Sequence, residues 1–362
     1  MHRHLIALFL LIMSSPVWSL DTTEGSLKVS PVVSGLDAPW AFGFLPGGRL
    51  LITERDGRLL IADNGTLHNV EGLPSIAVVG QGGLLDLLVP SDFARSKTIF
   101  LSFAKPQGRG AGTALMRATL SIEERRLSDV QVIFEMEAGT SGGQHFGSRI
   151  VEAPDGTLFL TIGDRGDRNT AQDLDIESGS VVRVTKNGGV PRDNPFWGRD
   201  GAQPEIWSYG HRNPQGAALD LDGGLILVEH GARGGDEVNR VKAGRNYGWP
   251  VISYGTHYSG RKIGEGVEKV GMEQPEFYWD PSIAPSGLMV YSGKLWPKWR
   301  GDVFIGSLKF DYISRLDGTP LTEVEQISSD ETLRVRDVRE APDGSIWFLS
   351  VGNGTLYQIS PN

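Results

Sequence analysis

The chain is predicted to be all-β, a six-bladed β-propeller of four-stranded antiparallel blades. Short apolar runs bounded by glycine, aspartate and proline recur along it, with 48 Gly and 20 Pro in 362 residues. No long segment carries the 3.6-residue apolar period of an amphipathic helix. One turn-and-strand formula recurs six times, at intervals of roughly 40 to 80 residues, which is the repeat length of propeller blades lengthened by loops.

The formula joins a chain reversal, in which glycine supplies the positive φ, to a β-branched or aromatic strand. It is clear at Pro46-Gly47-Gly48 before Leu50-Leu51-Ile52, and at Pro154-Asp155-Gly156 before Leu158-Phe159-Leu160. Asp222-Gly223-Gly224 before Leu225-Ile226-Leu227 and Pro342-Asp343-Gly344 before Ile346-Trp347-Phe348 repeat it. Looser copies are Ser91-Asp92-Phe93 before Ile99-Phe100-Leu101, and Arg300-Gly301-Asp302 before Val303-Phe304-Ile305. A β-sandwich is the alternative, but sandwiches rarely repeat one turn formula. Without a linker-like or low-complexity stretch, residues 20–362 are predicted to form one domain.

The N-terminus has the three-part layout of a secretory signal over residues 1–19. Met1-His2-Arg3-His4 is basic, Leu5 to Met13 is apolar but too short to span a bilayer, and Val17-Trp18-Ser19 fits a cleavage site. The expected mature protein is periplasmic or secreted and is not inserted in a membrane. With no cysteine, it has no disulfide staples. A net charge of −9 argues against nucleic acid and anionic membranes as partners, so any cluster of arginines is a local device.

Five segments carry polar residues that a purely structural role explains poorly. In Gly80-Gln81-Gly82-Gly83 the glycines either form a turn or let the backbone approach a ligand with the Gln81 amide projecting. Gly142-Gly143-Gln144-His145-Phe146-Gly147 and Gly163-Asp164-Arg165 flank a hairpin long enough to bring His145 and Asp164 to one end of adjacent strands. An aspartate that fixes the tautomer and orientation of a histidine makes it a general base; a satisfied loop histidine is the plainer alternative. Gly210-His211-Arg212-Asn213-Pro214 is either a polar turn or a loop aiming a guanidinium and an amide at an anion or carbonyl.

Glu229 to Asn239, with Gly244 to Pro250, sets carboxylates among glycines, a source of the hard oxygen ligands calcium takes, though not at EF-hand spacing. Lys309, with Arg334 and Arg336 alternating along an expected strand, presents cations on one side. They form either a solvated face or a grip for carboxylates. No G-x-G-x-x-G follows a strand, which argues against nicotinamide and flavin chemistry.

Taken together, in this order and spacing, the segments resemble the soluble quinoprotein glucose and aldose sugar dehydrogenases of the glucose/sorbosone dehydrogenase family. The resemblance runs over nearly the whole mature chain, from Gly35-Leu36-Asp37-Ala38-Pro39-Trp40 through Ala284-Pro285-Ser286-Gly287. It implies oxidation of an aldose at C1 by hydride transfer to pyrroloquinoline quinone (PQQ), with calcium (Ca2+) and an external electron acceptor. His145 would be the base, Asp164 its orienting partner, and Arg212 the stabiliser of charge on the quinone oxygen. Gln81, Asn213, Lys309, Arg334 and Arg336 would hold the quinone. Gly231 and Ala232 would give carbonyls to its calcium, and Glu237 and Tyr247 would bind a second, structural calcium. In the better-known glucose enzymes a proline stands at the position of Ala232. A non-catalytic ligand- or partner-binding propeller and a calcium-dependent propeller lactonase or other hydrolase are the alternatives.

Overall fold

A computed structural model describes residues 18–137 and 139–362. The predicted leader lies outside the described residues except for Trp18 and Ser19, which begin the strand Trp18–Thr22. Among the described residues the strands form six antiparallel sheets, one per blade, and helical structure is confined to short turns.

Blade one runs Pro39–Phe44, Leu50–Glu54, Arg58–Asp63, Thr66–Asn69 from the inside outwards. Blades two to five repeat this order, with innermost strands Leu84–Leu88, Ile150–Glu152, Pro214–Leu219 and Pro285–Val290. Blade six begins at Val335–Glu340. Each innermost strand touches the next, and the sixth touches the first, so the ring is closed. Every copy of the turn formula is the reversal between the first and second strands of a blade, one copy in each of the six.

Closure uses both ends of the chain. In blade six the C-terminal strand Thr355–Pro361 pairs outwards with Gly25–Ser34, in register from Leu27 with Pro361 to Ser34 with Thr355. Trp18–Thr22 then adds a fifth strand to that sheet. Leu27, Val29 and Val33 of the closing strand are buried, worth about 1.5–3 kcal/mol each. This pairing also covers an edge that would otherwise present unpaired backbone groups.

An ion network ties the innermost strands together around the axis. Arg149 Nη1 lies 3.0 Å from Asp86 Oδ1 and 2.9 Å from Asp337 Oδ1. Arg339 reaches the same two carboxylates at 2.7 and 2.8 Å. Asp86 also accepts from the Ile150 N–H, and Arg149 donates to the Gln215 carbonyl. Two guanidinium groups face two carboxylates, so the axis is locally neutral, as a buried set of charges must be. Cations that lie above this network are not balanced by it.

Candidate functional site

The loops entering the innermost strands border a cleft of three connecting cavities, about 620, 510 and 350 Å3. Gln81, His145, Arg212, Asn213, Gly231, Ala232 and Lys309 line the first of these. Arg334 and Arg336 line the second, which also takes in Gln81 and Lys309. Asp164 borders the third, beside His145. Ten of the twelve residues singled out from the sequence therefore meet at one place. Glu237 and Tyr247 do not reach the cleft; they line a small adjoining cavity with room for one water-sized occupant.

His145 sits on the loop before Ile150–Glu152 with φ of +53°, and Asp164 follows the next strand, Leu158–Thr161. His145 Nδ1 is 2.6 Å from Asp164 Oδ1. Two further donors hold the carboxylate: the Gly166 N–H at 2.8 Å on Oδ1 and Trp249 Nε1 at 2.8 Å on Oδ2. Burial opposes the charge on Asp164, but the bond to His145, the neighbouring His145 and Arg212, and the Gly166 N–H outweigh it and keep the carboxyl below its usual range. An ionised Asp164 accepts the Nδ1 proton and leaves Nε2 as the basic atom of His145.

The loop carrying His145 is clamped from several sides. Its backbone N–H donates to Gln81 Oε1 at 2.8 Å. Arg165 donates to the carbonyls of Gly142 and Gln144, and its guanidinium stacks 3.4 Å over the Phe146 ring. Gly163 passes so close that a Cβ there would overlap the His145 carbonyl oxygen. Asn213 Oδ1 accepts from the Gly147 N–H at 3.1 Å, which leaves the Asn213 amino group for the cleft.

The cations are held by neutral partners. Arg212 Nη1 donates to the His230 carbonyl, Lys309 Nζ to the Ser282 carbonyl, and Arg334 Nη1 to the Leu308 carbonyl. Arg336 Nη1 donates to Gln215 Oε1 at 2.8 Å. None of the four has a carboxylate partner among the described residues. Burial and the like charges of Arg149 and Arg334 disfavour the charge on Arg336, so an anion in the cleft would relieve it. Two positions differ from the expected strand alternation. Arg334 precedes the strand Val335–Glu340 with φ of +51°, and Arg336 lies at a register shift between Val335 and Asp337. Both still reach the cleft, because a bulge re-aims the side chain it carries.

Other groups in the cleft were given no role from the sequence. Arg55, Trp40, Gln215 and His230 line the same cavity as Arg334 and Arg336. Arg55 sits in a polar Glu-Arg-Asp-Gly turn like many others, and Trp249 lies two residues after Tyr247 without a sign of its reach to Asp164. The buried Nε of Arg55 and Nε2 of His230 have no hydrogen-bond partner among the described residues. Burial first, then Arg212 and Arg336, push His230 down to about 3, so its imidazole is neutral. Orphaned buried polar atoms beside a cavity are what a ligand site leaves when only the protein is considered.

For a cation, the available donors are mostly carbonyls; no group of three or more His, Asp or Glu side chains poised for a metal occurs among the described residues. Gly231 is tied by its N–H to Asp236 Oδ1 at 2.8 Å, and Asp236 Oδ2 accepts from Ile283 and Ala284, fixing the carbonyl-bearing turn. In the small cavity, burial and the charge of Glu229 push Glu237 up to about 8. The Tyr247 hydroxyl is committed to the Arg240 carbonyl and the Lys242 N–H, which leaves its backbone carbonyl as a donor.

Comparison with known proteins assigns the family and the fold. Residues 36–358 match the Glucose / Sorbosone dehydrogenase family. The aldose sugar dehydrogenase YliI of Escherichia coli K12 is 42% identical over 372 residues, spanning all of both chains. The crystal structure of the apo form of the soluble aldose sugar dehydrogenase from Escherichia coli superposes with a TM-score of 0.89 at 41% identity, covering 93% of this chain and 100% of that one. The PQQ-bound aldose sugar dehydrogenase of Streptomyces coelicolor superposes with a TM-score of 0.77 at 26% identity, covering 96% and 100%. The chain belongs to the glucose/sorbosone dehydrogenase family.

Proposed function

We propose that the protein oxidises aldose sugars at C1 to lactones, with PQQ and calcium in the cleft and His145 as the general base. The observation that carries this reading is one cleft holding both an aspartate-oriented histidine and four cations without carboxylate partners. A planar tricarboxylate suits those cations, since guanidinium groups grip carboxylates in pairs of hydrogen bonds. Arg334, Arg336 and Lys309 would hold its carboxylates, with Arg55 as an additional donor. The amino groups of Gln81 and Asn213 would meet its carbonyls.

With the quinone held by these residues, it would supply the acceptor for the hydride from C1, and calcium held by the Gly231 and Ala232 carbonyls would polarise it. His145 Nε2 takes the proton of the anomeric hydroxyl, and Asp164 stabilises the imidazolium that results. Arg212 places positive charge where negative charge accumulates as the hydride moves, a preorganised electrostatic role. Trp249 holds Asp164 and lies beneath the Arg212 guanidinium, 5.3 Å from ring centre to charge, so both groups keep one geometry.

Gly231 and Ala232 would give calcium their carbonyls. The surrounding cations oppose a free divalent ion, so the ion and the anionic quinone are expected to bind together. A second cation beside Glu237 would satisfy the buried carboxylates of Glu237 and Glu229. The leader of residues 1–19 implies export to the periplasm or outside the cell, and an external acceptor would take the electrons onward. Among the described residues no helix is long and apolar enough to cross a membrane.

The test is dye-linked oxidation of an aldose panel by the calcium-treated apoprotein, with and without added PQQ. Activity that depends on the quinone supports the reading. Quinone binding without activity points to a different substrate, and neither binding nor activity points to a non-catalytic propeller.

A further inference from the structure

The loop that supplies Arg212 and Asn213 also carries His211, which no step above uses. His211 is fully buried, yet both ring nitrogens are bonded. Nδ1 lies 2.8 Å from Glu229 Oε1, and Nε2 lies 3.0 Å from Ser208 Oγ. The Tyr247 ring stacks on the imidazole, 4.7 Å between centres with the planes 19° apart. Ser208, His211 and Glu229 have the order of a nucleophilic triad. Ser208 is itself fully buried, however, and neither it nor His211 lines the cleft or the small cavity beside it. The array has no access to a substrate.

It leads instead to the groups that do chemistry. Glu229 Oε1 accepts from His211 Nδ1 and, at 3.1 Å, from Asn239 Nδ2. These two bonds turn the carboxylate so that Oε2 takes the backbone N–H of Arg212 at 2.6 Å. The Arg212 carbonyl in turn accepts the backbone N–H of Asp164 at 2.8 Å. The backbone of Arg212 thus stands between Glu229 and the aspartate that orients His145.

The donors along the array follow from its end. A carboxylate accepts, so the imidazole proton is on Nδ1, and the Ser208 hydroxyl donates to Nε2. Both ring nitrogens and both carboxylate oxygens are then satisfied, as buried polar groups must be. The stack on Tyr247 adds a fixed ring plane, because the Tyr247 hydroxyl is itself held by the Arg240 carbonyl and the Lys242 N–H.

We infer that His211 and Glu229 are positioning residues: through the Arg212 backbone they hold the Arg212 guanidinium and the Asp164 carboxylate in one geometry. The inference rests on the proposed sugar-oxidation reading of the cleft. Electrostatic stabilisation works only from a preorganised charge, and a displacement of about 1 Å can cost about 10²-fold in rate. A histidine remote from sugar and quinone therefore controls turnover without touching either.

The experiment compares two polar replacements of similar size. In His211→Asn the amide nitrogen takes the place of Nδ1 and can still donate to Glu229; in His211→Gln it takes the place of Nε2 and reaches only Ser208. On the quinone- and calcium-loaded enzyme, His211→Gln should lower kcat about 30-fold or more with the sugar KM within threefold, while His211→Asn stays within about fivefold of wild type. Potentiometric titration of the bound quinone reads the placement of Arg212 without turnover. His211→Gln should disfavour the reduced form about tenfold, a fall of about 30 mV for a two-electron couple, and His211→Asn should not. In the calcium-treated apoprotein, hydrogen exchange at the Arg212 and Asp164 amides should quicken about tenfold in His211→Gln alone. Imidazole 15N NMR of the wild-type apoprotein should place the His211 proton on Nδ1. A proton on Nε2 would overturn the inference whether or not either variant folds, and so would equal losses in the two variants or none in His211→Gln. The Nδ1 proton and the exchange contrast, with no oxidation of any sugar, would overturn the oxidation reading and leave the positioning of Arg212 standing.

Discussion

Replacing Asp164 with Asn tests the His145–Asp164 pair with almost no change of shape. Asp164 accepts three hydrogen bonds through two oxygens: His145 Nδ1 and the Gly166 N–H on Oδ1, and Trp249 Nε1 on Oδ2. An amide has one acceptor oxygen, so one of these arrangements fails. If the amide oxygen stays towards His145, its amino group meets the Trp249 N–H, two donors face to face, at a cost of about 1–3 kcal/mol. If it turns, the amino group donates to Nδ1 and moves the imidazole proton to Nε2, where no base remains. The imidazolium also loses its counter-charge in both orientations. The expected fall in kcat is about 10²–10⁴-fold, equivalent to about 3–5 kcal/mol of activation free energy. Dye-linked oxidation at saturating sugar measures it, with quinone content followed by absorbance so that lost turnover is not lost cofactor. A kcat within threefold of wild type at full quinone occupancy would refute the assignment of His145 as a base held by Asp164.

Three other outcomes follow from the structure. His145→Asn, chosen because asparagine tolerates the +53° φ, should lower kcat about 10²–10⁴-fold and leave quinone binding unchanged, since the contact with Gln81 uses the backbone; an absorbance titration beside the rate assay checks both. Gly163→Ala places a methyl against the His145 carbonyl and should displace the base, cutting kcat at least about tenfold while the thermal midpoint falls by a few degrees; unchanged kinetics would remove the tight approach from the account. Glu177 is raised from its ordinary 4.5 to about 7, first by burial and then by the adjacent Glu205 carboxyl. The folded state therefore binds more protons than the unfolded state between these values, so stability falls as pH rises through that window. Glu177→Gln should relieve a penalty on the order of 3 kcal/mol at pH 8 and little at pH 4.5, measured by denaturant unfolding at both pH values.

Local chemistry was legible in the sequence where the signal lay within one hairpin. The six turn copies mark the first reversal of each blade, because a Pro/Asp-Gly turn and the strand after it are adjacent in the chain. His145 and Asp164 were recoverable for the same reason: one hairpin separates them. What the sequence hid is long-range. Trp249 reaches Asp164 across 85 positions, and the Arg149 network gathers Asp86, Asp337 and Arg339 from blades distant in sequence. Arg334 and Arg336 were expected on one face by strand alternation. They share the cleft through a left-handed residue and a bulge, local backbone departures that residue type does not encode. Arg55 could be recognised only by its unpartnered Nε beside the other cations.

The proposed quinone site rests on unbalanced cations above a neutral axis. Equilibrium titration of the calcium-treated apoprotein with PQQ, followed by absorbance, tests it directly when wild type is compared with the Arg334→Ala/Arg336→Ala double variant. Wild type should bind one quinone per chain, and the double variant should bind it at least about 100-fold more weakly, the loss of two charge-assisted contacts. No binding by wild type, or equal affinity in the two proteins, would contradict it.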